Sequence, residues 1–306
     1  MQEKYRAPLD EFIRSETELP KVIVIYGPTA CGKTALSLDI AEYTGSEIIS
    51  TDSRQIYRHM DIWTGKIKPE EMRWIPHHMI DVIDPSEIFS VVDFVKQSLP
   101  IIQEIQSRWK IPILCGGTGL YIDGLLYAMA YPDTPPDWEY RDELEQIRIS
   151  KWNQELWNML DAVDPEYANT LEVGNYRYVM RWLEVIRDTG ESKLASKWKK
   201  TPRFTPLLLT PYDDADRQDL YANIDRRVYD MFDSWLVEEV EYNTSLFSSH
   251  CPGLTTIGYR EVVDALEWNM TLDEAKSLIQ QRSRNYAKRQ ITWNKRYEQS
   301  YPHGRP

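Results

Sequence analysis

The sequence predicts an α/β fold in which a parallel sheet carries helices on its faces and a helical segment is inserted. The run Lys21–Tyr26 (KVIVIY) is apolar and mostly β-branched, as in a strand buried on both faces. Short apolar runs then alternate with helical stretches through short connections, which is typical of parallel sheets. The alternation stops at Tyr131–Asp137 (YPDTPPD), where three prolines mark a boundary.

The elements are expected in the following order along the chain. Further strands are predicted at Glu47–Ser50, Met79–Ile83, Ile111–Cys115 and Thr205–Thr210. Helices are predicted at Lys33–Tyr43, Val91–Trp109, Gly119–Met129, Asp214–Val240, Tyr259–Trp268 and Leu272–Tyr297. We expect a loosely attached polar extension, an α/β core with C-terminal helices, and a helical insertion, at residues 1–20, 21–131 with 201–306, and 132–200.

Length and composition exclude several classes of protein. The 306 residues suggest about two domains, and 42% hydrophobic with 27% charged residues excludes wholesale disorder. No apolar run approaches the ~18 residues of a membrane span, so no membrane partner is expected. Cys31, Cys115 and Cys251 lack the spacing of a zinc site or a disulfide framework. With no apolar leader in residues 1–20, we expect a cytoplasmic protein, and a monomer.

Positive charge is concentrated in two places of an acidic chain. The net charge is −12, which by itself disfavours binding to polyanions. The segment Gln281–Tyr297 nevertheless carries six basic residues and no acid, and Lys193–Arg203 is also basic. Arg282, Arg289 and Arg296 recur every seven residues, so a helix would place them on one stripe. The sequence leaves open whether these are solvated helix faces or contacts to a phosphate backbone.

A glycine-rich loop is the strongest local signal. The pattern GxxxxGKT follows the first strand directly and opens a helix, the context that a phosphate-binding loop requires. Backbone N–H groups of such a loop bind phosphate oxygens, the lysine adds a positive charge, and the threonine hydroxyl can bind Mg²⁺. The predicted phosphate or diphosphate site comprises Gly27, Pro28, Thr29, Ala30, Cys31, Gly32, Lys33 and Thr34.

Other residues at predicted strand ends suggest a reaction without naming it. The strand before Gly116 does not end in a Mg²⁺-binding Asp, which disfavours a triphosphatase, although a small-molecule kinase remains open. Asp52 follows the second strand and is either a general base, a Mg²⁺ or hydroxyl contact, or a loop cap. Thr118 either contacts a ligand or caps a helix. His77-His78 is interpreted as a strand-edge pair rather than a metal site, and Trp293 as a base-stacking side chain.

Seven segments together carry a resemblance to a known family. They are GPTACGKT (27–34), DSRQIYRHMDIWTGK (52–66), PHHMIDVIDPSE (76–87), CGGTGLY (115–121), DRQDLYANIDRRV (216–228), TTIGYREV (255–262) and NYAKRQITW (285–293). In this order they resemble the tRNA dimethylallyltransferases of bacterial type. The resemblance implies a P-loop NTPase-like α/β fold with a helical insertion domain that holds the anticodon stem.

The resemblance also implies an activity and its residues. The family transfers a dimethylallyl group from dimethylallyl diphosphate to the exocyclic amine of the adenosine 3′ to the anticodon. By resemblance Asp52 is the base, Thr29, Arg217 and Thr118 assist, and Lys33, Thr34 and Mg²⁺ stabilise the departing diphosphate. The target base would leave its stack. Contacts to tRNA are expected from Asp52, Ser53, Arg54, Gln55, Thr118, Arg141, Arg177, Tyr178, Arg181, Thr256, Gly258, Tyr259, Arg260, Arg282, Lys288, Arg289, Gln290, Trp293 and Arg296.

Some positions depart from the family pattern, and other functions stay open. Tyr178 replaces an arginine, Trp182 a small residue and Trp63 a glycine, which leaves the RNA specificity undetermined. An adenylate dimethylallyltransferase acting on free AMP would share the loop and Asp52, yet would not need the insertion or the basic stripe. A small-molecule P-loop kinase and an RNA-binding protein with a degenerate loop are the further alternatives.

Overall fold

A computed structural model describes residues 1–128, 137–192 and 201–300, without the side chains of 298–300. The described chain divides into two compact units. The first comprises Met1–Tyr127 and Pro202–Pro306, and the second comprises Ala128–Thr201. Most of the basic segment Lys193–Arg203, and the proline-rich boundary up to residue 136, lie outside the described residues.

The first unit is built on a parallel sheet. The strands of the chain are β1 (Lys21–Tyr26), β2 (Ile48–Ser50), β3 (His77–His78), β4 (Ile113–Gly116), β5 (Tyr127–Ala128), β6 (Thr201–Pro202) and β7 (Thr205–Leu209). Five of them form one sheet in the order β3-β2-β4-β1-β7, all pairs parallel, and β5 pairs separately with β6. Tyr26 lies opposite Gly116, and Ser50 lies opposite Cys115. The carboxyl ends of β1, β4 and β2 therefore meet at one edge.

Helices cover both faces of this sheet, as the sequence predicts. The helices are α1 (Glu3–Arg14), α2 (Lys33–Thr44), α3 (Val91–Ser107), α4 (Gly119–Leu126), α5 (Trp138–Val163), α6 (Pro165–Ala168), α7 (Tyr176–Thr189), α8 (Arg217–Asp233), α9 (Leu236–Leu246), α10 (Tyr259–Leu266) and α11 (Leu272–Ser300). Successive side chains of β1 point to opposite faces. Val22 and Val24 pack with residues of α3 and α4, whereas Ile23 and Ile25 pack with residues of α1 and α2.

The N-terminal segment is a docked helix, so the prediction of a loosely attached extension is wrong. Tyr5, Leu9 and Phe12 of α1 are buried at helical spacing in the core cluster that contains β1. The Tyr5 hydroxyl donates to the carbonyl of Thr210 at 3.1 Å. This helix was not predicted from the sequence, because most of its remaining positions are charged and because Pro8 lies inside it, where proline is unfavourable.

Three further predicted elements differ from the structure. The edge strand is His77–His78 rather than Met79–Ile83, because Met79 and Asp81 take left-handed φ values of 60° and 56° that end the extended chain. The predicted helix Asp214–Val240 is divided into α8 and α9, and the division falls at Trp235, whose φ is 74°. The predicted helix Gly119–Met129 ends earlier, at Leu126, because Tyr127 and Ala128 are extended and form β5; Met129 lies outside the described residues.

The second unit is a small helical bundle of α5, α6 and α7. Its core contains Leu144, Leu160 and Val179, and it also contains Trp182, which meets Tyr167 edge-on at 5.5 Å. The Trp182 departure is thus accommodated inside the bundle. Asp164 begins α6 by accepting from the backbone N–H of Tyr167.

Candidate active site at the carboxyl edge of the sheet

Three loops that follow β1, β2 and β4 lie side by side. They are Gly27–Thr34, Thr51–Gln55 and Gly116–Gly119, and the sheet register places their first residues at one level. The backbone N–H of Thr51 donates to Cys115 at 2.8 Å, and that of Thr118 donates to Thr51 at 3.1 Å. Gly116 has no room for a side chain, because a Cβ there would overlap the backbone of Thr51. Because the strands are parallel, their carboxyl ends meet at one edge, and this brings the loop with Asp52 beside the phosphate loop.

The phosphate loop has the backbone that a cradle for anions needs. Gly32 takes a φ of 92° immediately before α2, and the chain turns there so that the helix N-terminus faces the loop. The Lys33 ammonium donates to the carbonyl of Pro28 at 2.7 Å and thus spans the loop. Burial raises the pKa of the Cys31 thiol, which favours its neutral form. The loop therefore offers backbone donors, one ammonium group and the exposed Thr34.

Asp52 is held by its own loop in a way that leaves half of its carboxylate free. Oδ1 accepts from the backbone N–H of Arg54 at 2.9 Å, which is an Asx turn. Among the residues that the structure describes, no hydrogen-bond donor contacts the second carboxylate oxygen, Oδ2. Asp52 is half-buried beside the phosphate loop. The loop-cap and base interpretations are therefore compatible, since each uses a different oxygen.

Thr118 binds the Asp52 loop and does not cap its helix. It precedes α4, yet its side chain makes no capping bond. Its hydroxyl instead accepts from the backbone N–H of Ser53 at 3.0 Å and lies 3.2 Å from the Ser53 hydroxyl. The helix-cap alternative is thus wrong. Thr118 links the loop after β4 to the loop that carries Asp52.

Tyr286 is a further residue of this site, which the sequence did not single out. Its phenol lies near Thr118 and Asp52, and burial, with the nearby charge of Asp52, raises the pKa of Tyr286 to about 12. The phenol is therefore protonated at neutral pH. Tyr286 lies inside the NYAKRQITW segment, so the position was visible, but its contact with Thr118 joins residues far apart in sequence.

Arg227 is the arginine that the fold brings towards Asp52. It lies on α8 and is half-buried, and its guanidinium packs so tightly against Gly65 that a Cβ there would overlap it. Burial lowers the pKa of Arg227, and Asp52 is the carboxylate whose charge raises it. Among the described residues none forms a hydrogen bond or ion pair with this guanidinium. A desolvated cation without an anion is suited to bind one.

Arg217, which the resemblance assigned to catalysis, lies elsewhere. It is exposed at the start of α8, its guanidinium is 3.3 Å from Asp214, and hydrogen bonds to Tyr212 and Asp214 raise its pKa. We therefore transfer the expected role from Arg217 to Arg227. Both lie in the segment 216–228, and sequence alone gave no means of choosing between them.

The cationic stripe of α11 is partly neutralised by other elements. Arg282 pairs with the buried Glu261, and Lys295 lies 3.7 Å from Asp214. Within the described chain, Lys288, Arg289 and Arg296 are exposed and have no acidic partner. The segment contains no acid of its own, so the sequence could not show which of its cations are paired with acidic residues of other elements.

Several residues expected to touch RNA are inside the protein. Thr256, Gly258 and Tyr259 are buried, and the Tyr259 hydroxyl donates to Glu239. Gly258 lies against the ring of Trp63. Direct RNA contacts by these side chains are therefore not supported, because the IGYRE segment serves packing. Arg260 is exposed, and its guanidinium is 3.3 Å from Glu261.

Two further expected contacts, Gln290 and Trp293, are engaged with other parts of the protein. Gln290 is buried, and its amide accepts from Thr29 and donates to Gly117. Trp293 is half-buried, its ring pressed against Gly119, with the Arg296 guanidinium 4.7 Å above it, which leaves it little free face for a base.

In the second unit, two of the four expected RNA contacts bind a buried carboxylate. Arg141 donates to Glu184 at 2.9 and 2.8 Å, and Arg181 also pairs with it. Burial alone would raise the pKa of Glu184, but these bonds hold it below its usual value. Arg177 lies over the ring of Tyr176, and Tyr178 is 57% exposed. Arg177 and Tyr178 therefore remain available at the surface.

Metal-binding side chains are sparse in the described ranges. No three His, Cys, Asp or Glu side chains lie together there. His78 bonds to Glu47 at 2.9 Å, and His77 to the carbonyl of Ile75, which agrees with the strand-edge interpretation. No helix of the described chain combines the length and apolar character needed to cross a bilayer.

Comparison with known proteins identifies the family. A family model described as IPP transferase matches residues 55–297, most of the chain. The chain belongs to the IPP transferase family. A second model, described as isopentenyl transferase, matches residues 20–81, the range with the phosphate loop and Asp52. The family prediction is thus confirmed, and it was made on segments that these matches contain.

Individual IPP transferase relatives match this chain over nearly its whole length, and those with solved structures share its fold. The tRNA dimethylallyltransferase of Geobacillus thermodenitrificans is 42% identical over 275 residues, 89% of this chain and 87% of the relative. The crystal structure of the tRNA isopentenylpyrophosphate transferase from Bacillus halodurans is 40% identical, with a TM-score of 0.65 over 90% of this chain and 86% of that one. A eukaryotic dimethylallyltransferase acting on tRNA gives a TM-score of 0.76 at 30% identity, over 90% and 70%. The predicted fold class is confirmed.

Proposed function

We propose that this chain transfers a dimethylallyl group from dimethylallyl diphosphate to the exocyclic amine of the adenosine 3′ to the anticodon in tRNA. The observation that carries the proposal is the juxtaposition of a phosphate loop, the half-free carboxylate of Asp52 and the unpaired guanidinium of Arg227. The names of relatives that match nearly the whole chain supply the substrates. Together they make tRNA the RNA partner and a prenyl diphosphate the donor.

The reaction assigns a task to each of these groups. A bond forms between the adenine amine and the allylic carbon, the bond from that carbon to the diphosphate oxygen breaks, and diphosphate leaves. The amine is a weak nucleophile, because its lone pair is delocalised into the ring. Asp52 Oδ2 takes its proton as the new bond forms. The loop N–H groups, Lys33 and Arg227 stabilise the charge that develops on the diphosphate.

Mg²⁺ fits this site through one protein oxygen. Thr34 is exposed at the start of α2 and is the residue that would hold the ion. Mg²⁺ commonly keeps several waters and binds substrate phosphates, so a single hydroxyl is a compatible donor set. When bound, it would supply further charge neutralisation for the diphosphate.

The RNA would meet the exposed cations of each unit. In the first unit these are Lys288, Arg289 and Arg296, and in the second Arg177 with the exposed Tyr178. Adenosine must leave its stack to bring its amine to Asp52, because the carboxylate lies in a half-buried loop. Thr118 and Ser53 lie at that loop and are the side chains proposed to meet the flipped base. The Gln55 amide instead accepts from the Ser50 hydroxyl and donates to the carbonyls of Thr64 and Gly65. A monomeric state and a cytoplasmic location stay predictions.

One assay separates this function from the alternatives. Labelled dimethylallyl diphosphate is incubated with an unmodified tRNA transcript, with the same transcript carrying guanosine 3′ to the anticodon, with AMP, and in parallel with ATP. We expect label only in the adenosine transcript, and no ATP hydrolysis. Label in AMP alone would favour the adenylate transferase, ATP turnover the kinase, and tight tRNA binding without label the RNA-binding protein.

A further inference from the structure

One side chain of α11 joins the phosphate loop to the loop after β4. Gln290 is 6% exposed. Its Oε1 accepts from the backbone N–H of Thr29 at 2.9 Å, and its Nε2 donates to the carbonyl of Gly117 at 3.0 Å. Both ends of the amide are thus used, as burial of a polar group requires.

The glycines after β4 are shaped to receive this helix. A Cβ on Gly117 would overlap the Gln290 amide nitrogen, and one on Gly119 would overlap the indole of Trp293. The hydroxyl of Tyr297 donates to the carbonyl of Gly119 at 3.2 Å. The close approach of α11 therefore depends on the GGTG turn, and Gln290 is its polar contact to the phosphate loop.

We infer that Gln290 is a positioning residue for the diphosphate site and not an RNA contact, an inference that rests on the proposed function. The Thr29 N–H is directed to Gln290, so the helix sets the start of the phosphate loop. Lys288 and Arg289, the neighbouring residues on the same helix, are exposed. The segment would therefore serve two ligands: its exposed cations face the RNA, and the buried amide of Gln290 supports the diphosphate site.

The Gln290→Glu variant tests this assignment. The carboxylate keeps an acceptor for Thr29 but offers no donor to Gly117, and it adds negative charge next to the diphosphate. We expect the affinity for inorganic diphosphate to fall about tenfold or more, with tRNA affinity within twofold. The melting temperature should also fall, because the buried carboxylate would face the Gly117 carbonyl. Gln281→Glu, at an exposed position of the same helix, is the matched control.

Two results would overturn the inference. One is weaker tRNA binding with unchanged diphosphate affinity, as expected of an RNA contact, and the other is no change in either affinity. If Gln290→Glu does not fold, Gln290→Ala replaces it with the same readouts. Inorganic diphosphate binding is measured without prenyl transfer, so failure of the proposed function would leave this test intact.

A second, independent observation concerns tryptophans with a left-handed backbone. The chain has eleven tryptophans. Within the part of the chain that the structure describes, five of them have positive φ: Trp74 (61°), Trp109 (61°), Trp152 (69°), Trp235 (74°) and Trp268 (63°). Only a few per cent of non-glycine residues adopt such φ values, chiefly Asn, Asp and His, and a bulky residue there is an outlier. Five tryptophans in this region cannot be a matter of chance.

These five side chains also make little contact with the protein. In the described part of the chain they are the five most exposed large hydrophobic residues, from 68% for Trp235 to 101% for Trp74. Trp157, in contrast, donates its indole N–H to the carbonyls of Ala168 and Leu171, and Trp182 is buried. Packing therefore does not explain why tryptophan stands at the five positions.

Two of the five lie at the C-terminal end of a helix, in the position that glycine usually fills. After α3, Lys110 N–H bonds to Ile105 at 3.3 Å and Trp109 N–H to Gln106 at 2.9 Å. This is the Schellman pattern, with Trp109 in the left-handed position that glycine usually fills. After α10, the Trp268 N–H bonds to the carbonyl of Ala265 at 3.1 Å, and the Asn269 N–H bonds to the carbonyl of Asp264 at 2.9 Å. This is the same pattern.

The chain itself uses glycine for this purpose elsewhere. Gly45 ends α2 with a φ of 64°, and Gly190 ends α7 with a φ of 70°. Trp152 is the extreme case, because its φ of 69° and ψ of 170° form a combination that is essentially restricted to glycine. All five positions therefore have a backbone and an exposure that suit glycine.

We propose that positions 74, 109, 152, 235 and 268 are glycine in the protein that its own organism makes. The codon UGA is read as tryptophan in some genetic codes, as glycine in others and as a stop signal in the standard code. A UGA codon that is decoded as glycine in the organism, but rendered as tryptophan in the sequence, would produce this set of residues. Tryptophans that pack, such as Trp157, would be encoded by UGG.

Peptide masses of the protein from its own organism test the proposal directly. The tryptic peptide 261–276 contains Trp268 alone, and the peptide 152–177 contains Trp152 together with Trp157. We expect glycine at 268, and in the second peptide glycine at 152 with tryptophan at 157. Tryptophan at both 152 and 268, or UGG codons at the five positions, would refute the proposal.

Stability of the recombinant chain gives a second readout. Trp109→Gly and Trp268→Gly are each expected to raise the melting temperature on the order of 2 °C, since they relieve a left-handed backbone and remove no packing. Trp182→Gly is the matched control and should lower it, because that side chain is buried. A lower melting temperature for both exposed variants would contradict the proposal.

Discussion

Asp52→Asn is expected to lower the rate of prenyl transfer by about two to four orders of magnitude while the protein stays folded. An asparagine side chain keeps an oxygen that accepts from the Arg54 N–H, so the Asx turn at the end of β2 is preserved. What it loses is the basicity of the second oxygen, and general base catalysis contributes about this much. Single-turnover transfer to tRNA with excess prenyl diphosphate measures the loss.

The asparagine variant distinguishes the two interpretations of Asp52. If the residue only caps its loop, Asp52→Asn retains the cap and transfer proceeds at a nearly unchanged rate. If it is the base, transfer falls, whereas tRNA affinity and melting temperature stay close to those of the unaltered chain. Asp273→Asn is a suitable control, because the Asp273 side chain is 96% exposed at the start of α11.

Local patterns carried the sequence predictions that proved correct. The strand β1 and the phosphate loop follow each other within fourteen residues, and both are visible as an apolar run and a glycine pattern. The position of Asp52 beside the phosphate loop follows from parallel pairing, because the carboxyl ends of parallel strands lie at one edge of the sheet. In each case the deciding interaction is either within the segment or imposed by the sheet.

Long-range contacts account for the expectations that differ from the structure. Helix α1 was not expected to dock, since its apolar residues are recognisable as core residues only once their packing against β1 is known. Tyr259 was expected to contact RNA, but it is buried, and its hydroxyl donates to Glu239. Two of the cations of α11, Arg282 and Lys295, are paired with Glu261 and Asp214, which lie in other elements. None of these pairs is close in sequence.

The same reason explains the exchange of Arg217 for Arg227. The two lie ten positions apart on α8, so they present different faces of the helix. Only the packing of α8 against the segment with Gly65 shows that Arg227 faces the site. An assignment by resemblance alone could not separate two arginines in one matching segment.

Arg227→Met is expected to lower kcat/KM for dimethylallyl diphosphate by about 10² to 10³, the loss typical of removing one preorganised stabiliser of developing charge. Arg217→Met is the matched control and should stay within twofold, because Arg217 is exposed and pairs with Asp214. Arg227→Lys should recover part of the loss, since it restores the charge but not the planar fork. A reversed order of the two Met variants would restore the original assignment.

The stability of Arg227→Met sharpens this prediction. A half-buried guanidinium that forms no ion pair among the described residues costs folding free energy, and a methionine of similar length removes that cost. The variant should therefore melt at the same temperature as the unaltered chain or higher, while it loses activity. A structural arginine would show the opposite, a lower melting temperature with activity lost only through unfolding. Adding inorganic diphosphate separates the two further, because it should stabilise the unaltered chain by mass action much more than it stabilises Arg227→Met.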